Sequence, residues 1–235
     1  MIYVSLTTIP PRLKYIQATI NSLLYQNVKA DKIILHIPSK YDNYDIPNEQ
    51  QINALIGVTI NRCKDYGPAT KLLAMNELNL DPEDYIIVCD DDRIYDPNMI
   101  RDFIITHKSQ PNKVYSQARW DISSITDGAY SDGGIVGGCC GFIIQRKDCP
   151  FHFPDLFTEL NPKDSKYYVD DVWLSGWITL NGIEILGMLA KPDARRTQND
   201  RICELVTRTD FPRTKSNTEC AAWFHTRHNL YKKRI

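Results

Sequence analysis

Five consecutive residues, Tyr85-Ile86-Ile87-Val88-Cys89, form an apolar run that ends abruptly on three aspartates, Asp90-Asp91-Asp92. A short β-branched run with polar residues on both sides reads as a strand buried on both faces. Such strands belong to parallel sheets sandwiched between helices, so this one segment already narrows the fold. Its neighbours agree. Ile2 to Leu6 and Lys32 to Ile37 are further buried strands, the second ended by Pro38, and Val58 to Asn61 is a shorter one. Between them Leu13, Ile16, Ile20, Leu23 and Leu24 recur at helical spacing. A helix is expected over Ala69 to Leu78, just after Gly67-Pro68, and another from Pro97, carrying Met99, Ile100, Phe103 and Ile104. Pro suits the first turn of a helix, where its missing N–H costs nothing. Alternating strands and helices of this kind predict an α/β fold: a mostly parallel central sheet with helices on both faces.

Beyond Ser116 the pattern is less regular. Asp127 to Gly141 is glycine-rich and reads as loop leading into the strand Phe142-Ile143-Ile144. Asp170 to Leu180 reads as a helix, Glu184 to Leu186 as a short strand, and the polar stretch from Ala194 to Ser216 as mobile. Ala221 to Tyr231 is aromatic and carries His225 and His228. No repeat or linker divides the chain, so residues 1-235 are expected to form one domain, with halves at 1-116 and 117-235. With 43% hydrophobic and 24% charged residues there is ample material for a core. A net charge of -1 supplies no long-range field for nucleic acid or an anionic membrane, which leaves function to local constellations. No apolar run approaches the roughly 20 residues of a membrane span. No basic leader or long apolar segment precedes Ile2, and the seven cysteines show neither C-x-x-C pairing nor a disulfide framework. A soluble protein with reduced thiols in a cytoplasmic compartment is expected, or a piece of a longer polypeptide.

Five clusters carry chemistry. The triplet follows directly on a central strand, and open parallel sheets bind ligands outside the carboxyl ends of their strands. Strand alternation places Asp90 and Asp92 on one side and Asp91 on the other. Two carboxylates on one side repel unless a cation separates them, and hard oxygen ligands suit Mg2+ or Mn2+ together with substrate phosphates. A solvated acidic turn capping the next helix is the plainer alternative. Second, Asp65-Tyr66-Gly67-Pro68-Ala69-Thr70-Lys71 turns into a helix with a lysine in its first turn, where a cation is unfavourable unless it serves a bound anion; a surface lysine fits equally. Third, Thr7-Thr8-Ile9-Pro10-Pro11-Arg12 leaves the first strand with hydroxyls and a guanidinium suited to a base, ribose or phosphate. Fourth, Asp170-Asp171 opens a helix flanked by aromatics, as first-turn acids or as a general base in a partly desolvated cleft. Fifth, His225 or His228 offers an imidazole for a metal site or simply packs near the core.

Taken in order, the Thr-Thr-Ile-Pro-Pro-Arg loop, Asp65 to Lys71, Asp90-Asp91-Asp92, Gly137-Gly138-Cys139-Cys140-Gly141-Phe142 and Asp170-Asp171-Val172-Trp173 resemble the nucleotide-sugar glycosyltransferases of the GT-A fold. They look most like the inverting, family-2-like enzymes and the small glycosyltransferase domains of large DNA viruses; a viral chain would act in the host cytoplasm. The resemblance covers most of the chain up to Leu180 and implies a single GT-A (Rossmann-like) domain. Residues 1-116 would then bind the nucleotide and 117-235, the irregular half, the acceptor. It further implies a metal-dependent, inverting transferase moving a sugar from a nucleotide-diphosphate donor, UDP-linked by family habit, to a glycan or other hydroxyl acceptor. Thr7, Thr8, Arg12 and Asp65 would hold the nucleoside, with Lys71 near its phosphates or ribose. Asp90 would reach ribose or metal, with Asp91 in support, and Asp92 would bind Mn2+ or Mg2+ directly, completed by a histidine such as His225. Gly138 would line the donor-sugar cleft, and Asp171, or its neighbour Asp170, would be the catalytic base. The family often has Glu-Asp where this chain has Asp170-Asp171.

Rival classes are a metal-dependent phosphohydrolase, which would want Asp-x-Asp-x-Thr near the N-terminus where this chain has none, and a nucleotidyltransferase, which would want a glycine-rich opening loop. A non-catalytic carbohydrate-binding protein is the third.

Overall fold

The computed structural model describes residues 1–41, 43–149, 157, 160, 163–188, 194–197 and 210–234. Seven strands form the central sheet: β1 (Ile2–Thr7), β2 (Lys32–Pro38), β3 (Thr59–Cys63), β4 (Tyr85–Val88), β5 (Lys113–Ser116), β6 (Phe142–Gln145) and β7 (Glu184–Gly187). Their order across the sheet is β7-β5-β6-β4-β1-β2-β3. All neighbours are parallel except around β6, which runs antiparallel to both β4 and β5. That makes the sheet mostly parallel, as the alternation predicts.

The strand period of two sorts side chains onto two cores. Ile86 and Val88 of β4 join one apolar cluster, while Ile87 and the following Cys89 join the other. Phe142 and Ile144 of β6 face the first, and Ile143 the second. Each face is closed by helices. Ile16, Ile20 and Leu23, at the start of and within α1 (Gln17–Leu24), and Ile100 and Phe103 of α2 (Met99–Ser109) cover one side. Val172 and Trp173 of α3 (Asp170–Leu180) and Phe224 of α4 (Arg213–His228) cover the other. Burying each such side chain stabilises the fold by about 1.5–3 kcal/mol; Phe103, fully buried, would cost about 3–5 kcal/mol if cut to alanine. Among the described residues no helix is long and apolar enough to cross a membrane.

Several local expectations change. The helix expected over Ala69 to Leu78 is α-helical only at Thr70–Leu73, with single 3-10 turns on either side. The glycine-rich loop contains two short strands, Tyr130–Ser131 and Gly134–Ile135, held by Lys232–Lys233 and Trp120–Asp121. Lys232–Lys233 is distant in sequence from its partner, so local composition does not reveal that pairing. In the stretch expected to be mobile, Arg195–Arg196 pairs antiparallel with Arg93–Ile94, and α4 starts at Arg213; residues 198–209 of it lie outside the described residues.

The antiparallel β6 positions the site. Phe142 stands opposite Val88, so the turn that precedes β6 is carried over the carboxyl end of β4, where the aspartates begin. Gly141 there takes φ +87°, a conformation natural only for glycine, and a β-carbon on it would lie 3.4 Å from the Val88 carbonyl oxygen.

Candidate active site

The carboxyl ends of β1 and β4 lie side by side, joined beyond the ladder by the Cys89 N–H donating to the Ser5 carbonyl at 2.9 Å. Here the chain leaves the sheet, and the triplet sits in a turn rather than in the strand. Tyr95 pins that turn: its hydroxyl accepts from the Asp90 N–H at 2.8 Å and donates to the Asp90 carbonyl at 3.2 Å. Strict strand alternation of the three aspartates therefore fails. Asp91 and Asp92 both reach Arg12, at 2.8 and 3.6 Å, while Asp90 turns toward Lys71.

Asp91 is the structural member of the triplet. It accepts from the Thr8 hydroxyl at 2.6 Å and from Arg12, and its carbonyl accepts from Thr19 at 2.9 Å. Burial nevertheless raises its carboxyl above the ordinary range. Arg12 is in turn held above its usual value: burial pulls it down, and Asp91 and Asp92 more than offset that. Thr8 and Arg12, expected to meet a nucleoside, thus brace the acidic turn. Thr7 donates to the His36 carbonyl at 2.9 Å, and Asp65 accepts from the Gly67 N–H at 2.8 Å.

Lys71 lies between two acids, with Nζ 2.7 Å from Asp90 and 2.9 Å from Asp170. Its side chain is 7% exposed, so it is no surface lysine. Burial opposes its charge, yet Asp170, Asp90 and Asp171 together drive it well above its ordinary value. Asp90 is correspondingly held low: burial pushes its carboxyl up and Lys71 overcomes that. The Lys71 carbonyl accepts from the buried Ser5 hydroxyl, which lies 2.9 Å from His36 Nε2; His36 Nδ1 faces the Asn61 amide at 3.0 Å. With burial pressing His36 down to about 3, this imidazole stays neutral, and donation runs Asn61 to His36 to Ser5 to Lys71. The helix carrying Lys71 is tied to the sheet by this chain of donors.

Gly138 closes the cluster. A β-carbon there would sit 2.6 Å from Lys71 Nζ and 2.8 Å from Asp90 Oδ1. Its N–H donates to Asp171 Oδ1 at 3.3 Å. Asp171 also lies 3.6 Å from Arg213, which donates to the Tyr168 carbonyl at 2.9 Å. Burial first, and Asp170 second, raise the Asp171 carboxyl to about 7. A carboxyl at that value exchanges a proton near neutrality, as a general base must.

Asp92 differs again. Burial, then Asp90 and Asp91, lift it to about 6. Among the described residues its Oδ1 is buried without a hydrogen-bond donor, the nearest cation being Arg93 Nε at 3.3 Å, and Thr197 donates to its carbonyl through both N–H and hydroxyl. An orphaned carboxylate oxygen fits a hard cation that takes its remaining ligands from diphosphate and water. Among the described residues no three His, Cys, Asp or Glu side chains meet as a ready-made cage. His225, expected to complete the metal site, has its Nδ1 2.8 Å from the Tyr231 carbonyl and its ring packed on Tyr130. His228 packs on Trp177 and Trp223.

The structure thus brings Asp90, Asp91, Asp92, Lys71, Gly138, Asp170 and Asp171 together with Thr8 and Arg12. Sequence reasoning missed Arg93, Thr197 and Arg213. Arg93 adjoins the triplet and was legible; nothing local marks the other two. A cavity of about 830 Å3 on the β7 edge, lined by Gln117, Arg119, Asp121, Glu184, Leu186 and Arg234, shares no lining residue with this cluster. Two of its charged residues are ion-paired, Arg119 to Asp121 at 2.8 Å and Glu184 to Lys113 at 2.7 Å.

No protein-family model and no curated protein sequence matches the chain. Among solved structures it is similar to S. aureus TarS 1-349, with a TM-score of 0.51 at 10% identity, covering 85% of this chain and 61% of that one. The chain therefore spans about three fifths of the length of that relative. Weaker likenesses are to glucosyl-3-phosphoglycerate synthase from Mycobacterium tuberculosis, solved with Mn2+, UDP and glucosyl-3-phosphoglycerate (TM-score 0.48, 11% identity, 85% of this chain and 74% of that one). Another is 2-C-methyl-D-erythritol 4-phosphate cytidylyltransferase from Francisella tularensis (TM-score 0.45, 13% identity, 85% and 95%). At such identities likeness speaks to fold alone. The fold is the GT-A form of α/β sheet that the motifs imply.

Proposed function

We propose that this chain is a metal-dependent, inverting glycosyltransferase that moves a sugar from a nucleotide-diphosphate donor, UDP-linked, to an acceptor hydroxyl. The observation that carries this reading is the meeting of two acidic centres of different character across Lys71 and Gly138. One is the Asp90–Asp92 turn with its orphaned oxygen; the other is Asp171 with its carboxyl near 7. Transfer needs both, a place for the diphosphate's cation and a base for the acceptor.

Asp92 and Asp90 would hold Mn2+ or Mg2+, which when bound supplies charge to the departing diphosphate. Thr7, Thr8, Arg12 and Asp65 are assigned to the nucleoside side of the cleft. Asp170 is spent on Lys71 at 2.9 Å, whereas among the described residues Asp171 keeps only a 3.3 Å N–H and a 3.6 Å guanidinium. Asp171 is therefore the base and Asp170 the positioning residue. Asp171 removes the acceptor's proton as that oxygen attacks the anomeric carbon opposite the leaving group, and displacement from that face inverts the centre. Residues 1-116 supply the donor side and residues 117-235 the base, Gly138 and Arg213.

The test is release of UDP from a panel of UDP-sugars with Mn2+, with and without glycan acceptors, in wild type and Asp92→Ala. Turnover is expected only with metal and to collapse in the variant. Undiminished turnover in Asp92→Ala sinks the metal assignment; absence of turnover or binding with every nucleotide sugar sinks the function.

A further inference from the structure

One reactive pair at the cluster has no part in that chemistry. Cys139 and Cys140 are adjacent, their sulfurs 3.7 Å apart, with the Cys139 thiol directed at the Cys140 sulfur. Both are partly exposed, whereas Cys63, Cys89, Cys149 and Cys220 are buried, and all six are free thiols. The hydrogen bond from Cys139, and then Arg93 working against burial, hold the Cys140 thiol below its ordinary value. An accessible thiol with thiolate character beside a second thiol is what peroxides oxidise selectively.

We propose that Cys139 and Cys140 form a reversible oxidation site, closed by a peroxide into a vicinal disulfide that displaces Gly138 from the Lys71–Asp90 pair. The Cys140 thiolate attacks the peroxide oxygen, breaking the O–O bond and giving a sulfenic acid and water once a proton is taken up. The Cys139 sulfur then attacks the sulfenic sulfur, its proton leaves with the hydroxyl as a second water, and the S–S bond forms. Two thiols are oxidised and one hydrogen peroxide is reduced to two waters; a dithiol reverses the step.

Geometry makes this closure consequential. The sulfurs must come from 3.7 Å to about 2.05 Å within a ring of only eight atoms. Adjacent α-carbons stand about 3.8 Å apart across a trans peptide, below the usual range of about 4.4–6.8 Å for disulfides. The turn must distort, and a strained bond of this kind is readily reduced. Little slack absorbs the distortion. Gly138 already excludes a β-carbon against Lys71 and Asp90, its N–H is on Asp171, and the Gly141 N–H donates to the Gly138 carbonyl at 3.1 Å. The effect on donor binding rests on the proposed function; formation of the disulfide does not.

The tryptic peptide Trp120–Arg146 contains Cys139 and Cys140 and no other cysteine. After reduction of the whole chain, exposure to hydrogen peroxide and alkylation of remaining thiols, this peptide should be unalkylated and two hydrogens lighter. Dithiothreitol should restore it, and Cys140→Ser and Cys139→Ser should abolish the species. Alkylation at both cysteines, or sulfinic acid in place of the disulfide, overturns the site. Amide exchange of the oxidised chain should quicken in the peptides carrying Lys71 and Asp171; unchanged exchange overturns the displacement. UDP with Mn2+ should bind the oxidised form about tenfold more weakly, a loss of about 1.4 kcal/mol, and equal binding overturns the regulatory effect. If the reduced chain fails to bind UDP with Mn2+, the proposed function falls, while peptide mass and exchange still decide the oxidation site.

Discussion

Replacing Asp171 by asparagine should remove the base and, at the same time, stabilise the fold above neutral pH. The carboxyl stands near 3.9 in an unfolded chain and is raised to about 7 in the folded one, chiefly by burial and then by Asp170. A raised carboxyl favours the folded state fully below pH 4, and that contribution is lost as pH climbs through 7. At about 1.36 kcal/mol per pH unit, the ionised form costs the folded state at most about 4 kcal/mol. Asparagine carries no charge, keeps an oxygen for the Gly138 N–H, and gives up the Arg213 attraction at 3.6 Å. Arg213 is 29% exposed, so that attraction is worth about 1 kcal/mol or less. The net expectation at pH 8 is a gain of about 1–3 kcal/mol, or a melting temperature higher by roughly 2–10 °C for a chain of this size. At pH 4 the two proteins should melt together. Transfer should fall about 10²–10⁴-fold, the usual worth of a general base. Thermal melts of both proteins from pH 4 to 9, beside product formation, decide the matter. A variant no more stable than wild type at pH 8, or one whose advantage does not vary with pH, refutes the assignment of Asp171 as a strained buried base.

Three further outcomes follow from the same cluster. Lys71→Met leaves Asp90 and Asp170 facing each other without their shared cation and should cost about 3–5 kcal/mol near pH 7; the deficit should shrink in acid as Asp90 protonates, as urea titrations at pH 7 and pH 4 would show. Gly138→Ala forces a methyl against Lys71 and Asp90, so it should destabilise by about 1–3 kcal/mol and abolish heat of binding for UDP with Mn2+; wild-type titration would contradict the close contact. Arg213→Gln removes a charge that holds the Asp171 carboxyl down. The acid limb of the activity–pH profile should move up by about 0.5 pH unit, the equivalent of about 0.7 kcal/mol for a partly exposed pair. An unmoved limb would disconnect Arg213 from the base.

How far the sequence reaches can be seen from particular residues. The run Tyr85 to Cys89 and the helix Asp170 to Leu180 are legible because periodicity and length report burial directly. Strand β4 ends at Val88 and the helix spans Asp170–Leu180. What periodicity cannot report is a partner distant in the chain. The pairing of Arg195–Arg196 with Arg93–Ile94, and of Lys232–Lys233 with Tyr130–Ser131, turned stretches that read as mobile or loop into edge structure. The direction of β6 is equally silent, since a buried strand reads the same in either sense. Yet that direction is what lays Gly138 over the triplet.

Arg12 sharpens the point for the site itself. A guanidinium after a strand end, beside two threonines, has the chemistry to hold a phosphate, and the family resemblance assigns it to the nucleoside. In the folded chain it lies 2.8 Å from Asp91 and 3.6 Å from Asp92. Five acids (Asp90, Asp91, Asp92, Asp170 and Asp171) face four cations (Arg12, Lys71, Arg93 and Arg213), so the fully ionised cluster carries one excess negative charge. Burial first, and neighbouring aspartates second, concentrate the strain on Asp92 and Asp171, the two carboxyls raised to about 6 and about 7. A dication at Asp92 would relieve one of them, and proton transfer at Asp171 the other. The residues that carry the proposed chemistry are thus those the surrounding ion pairs leave under-compensated, a property of the assembled cluster rather than of any motif in it.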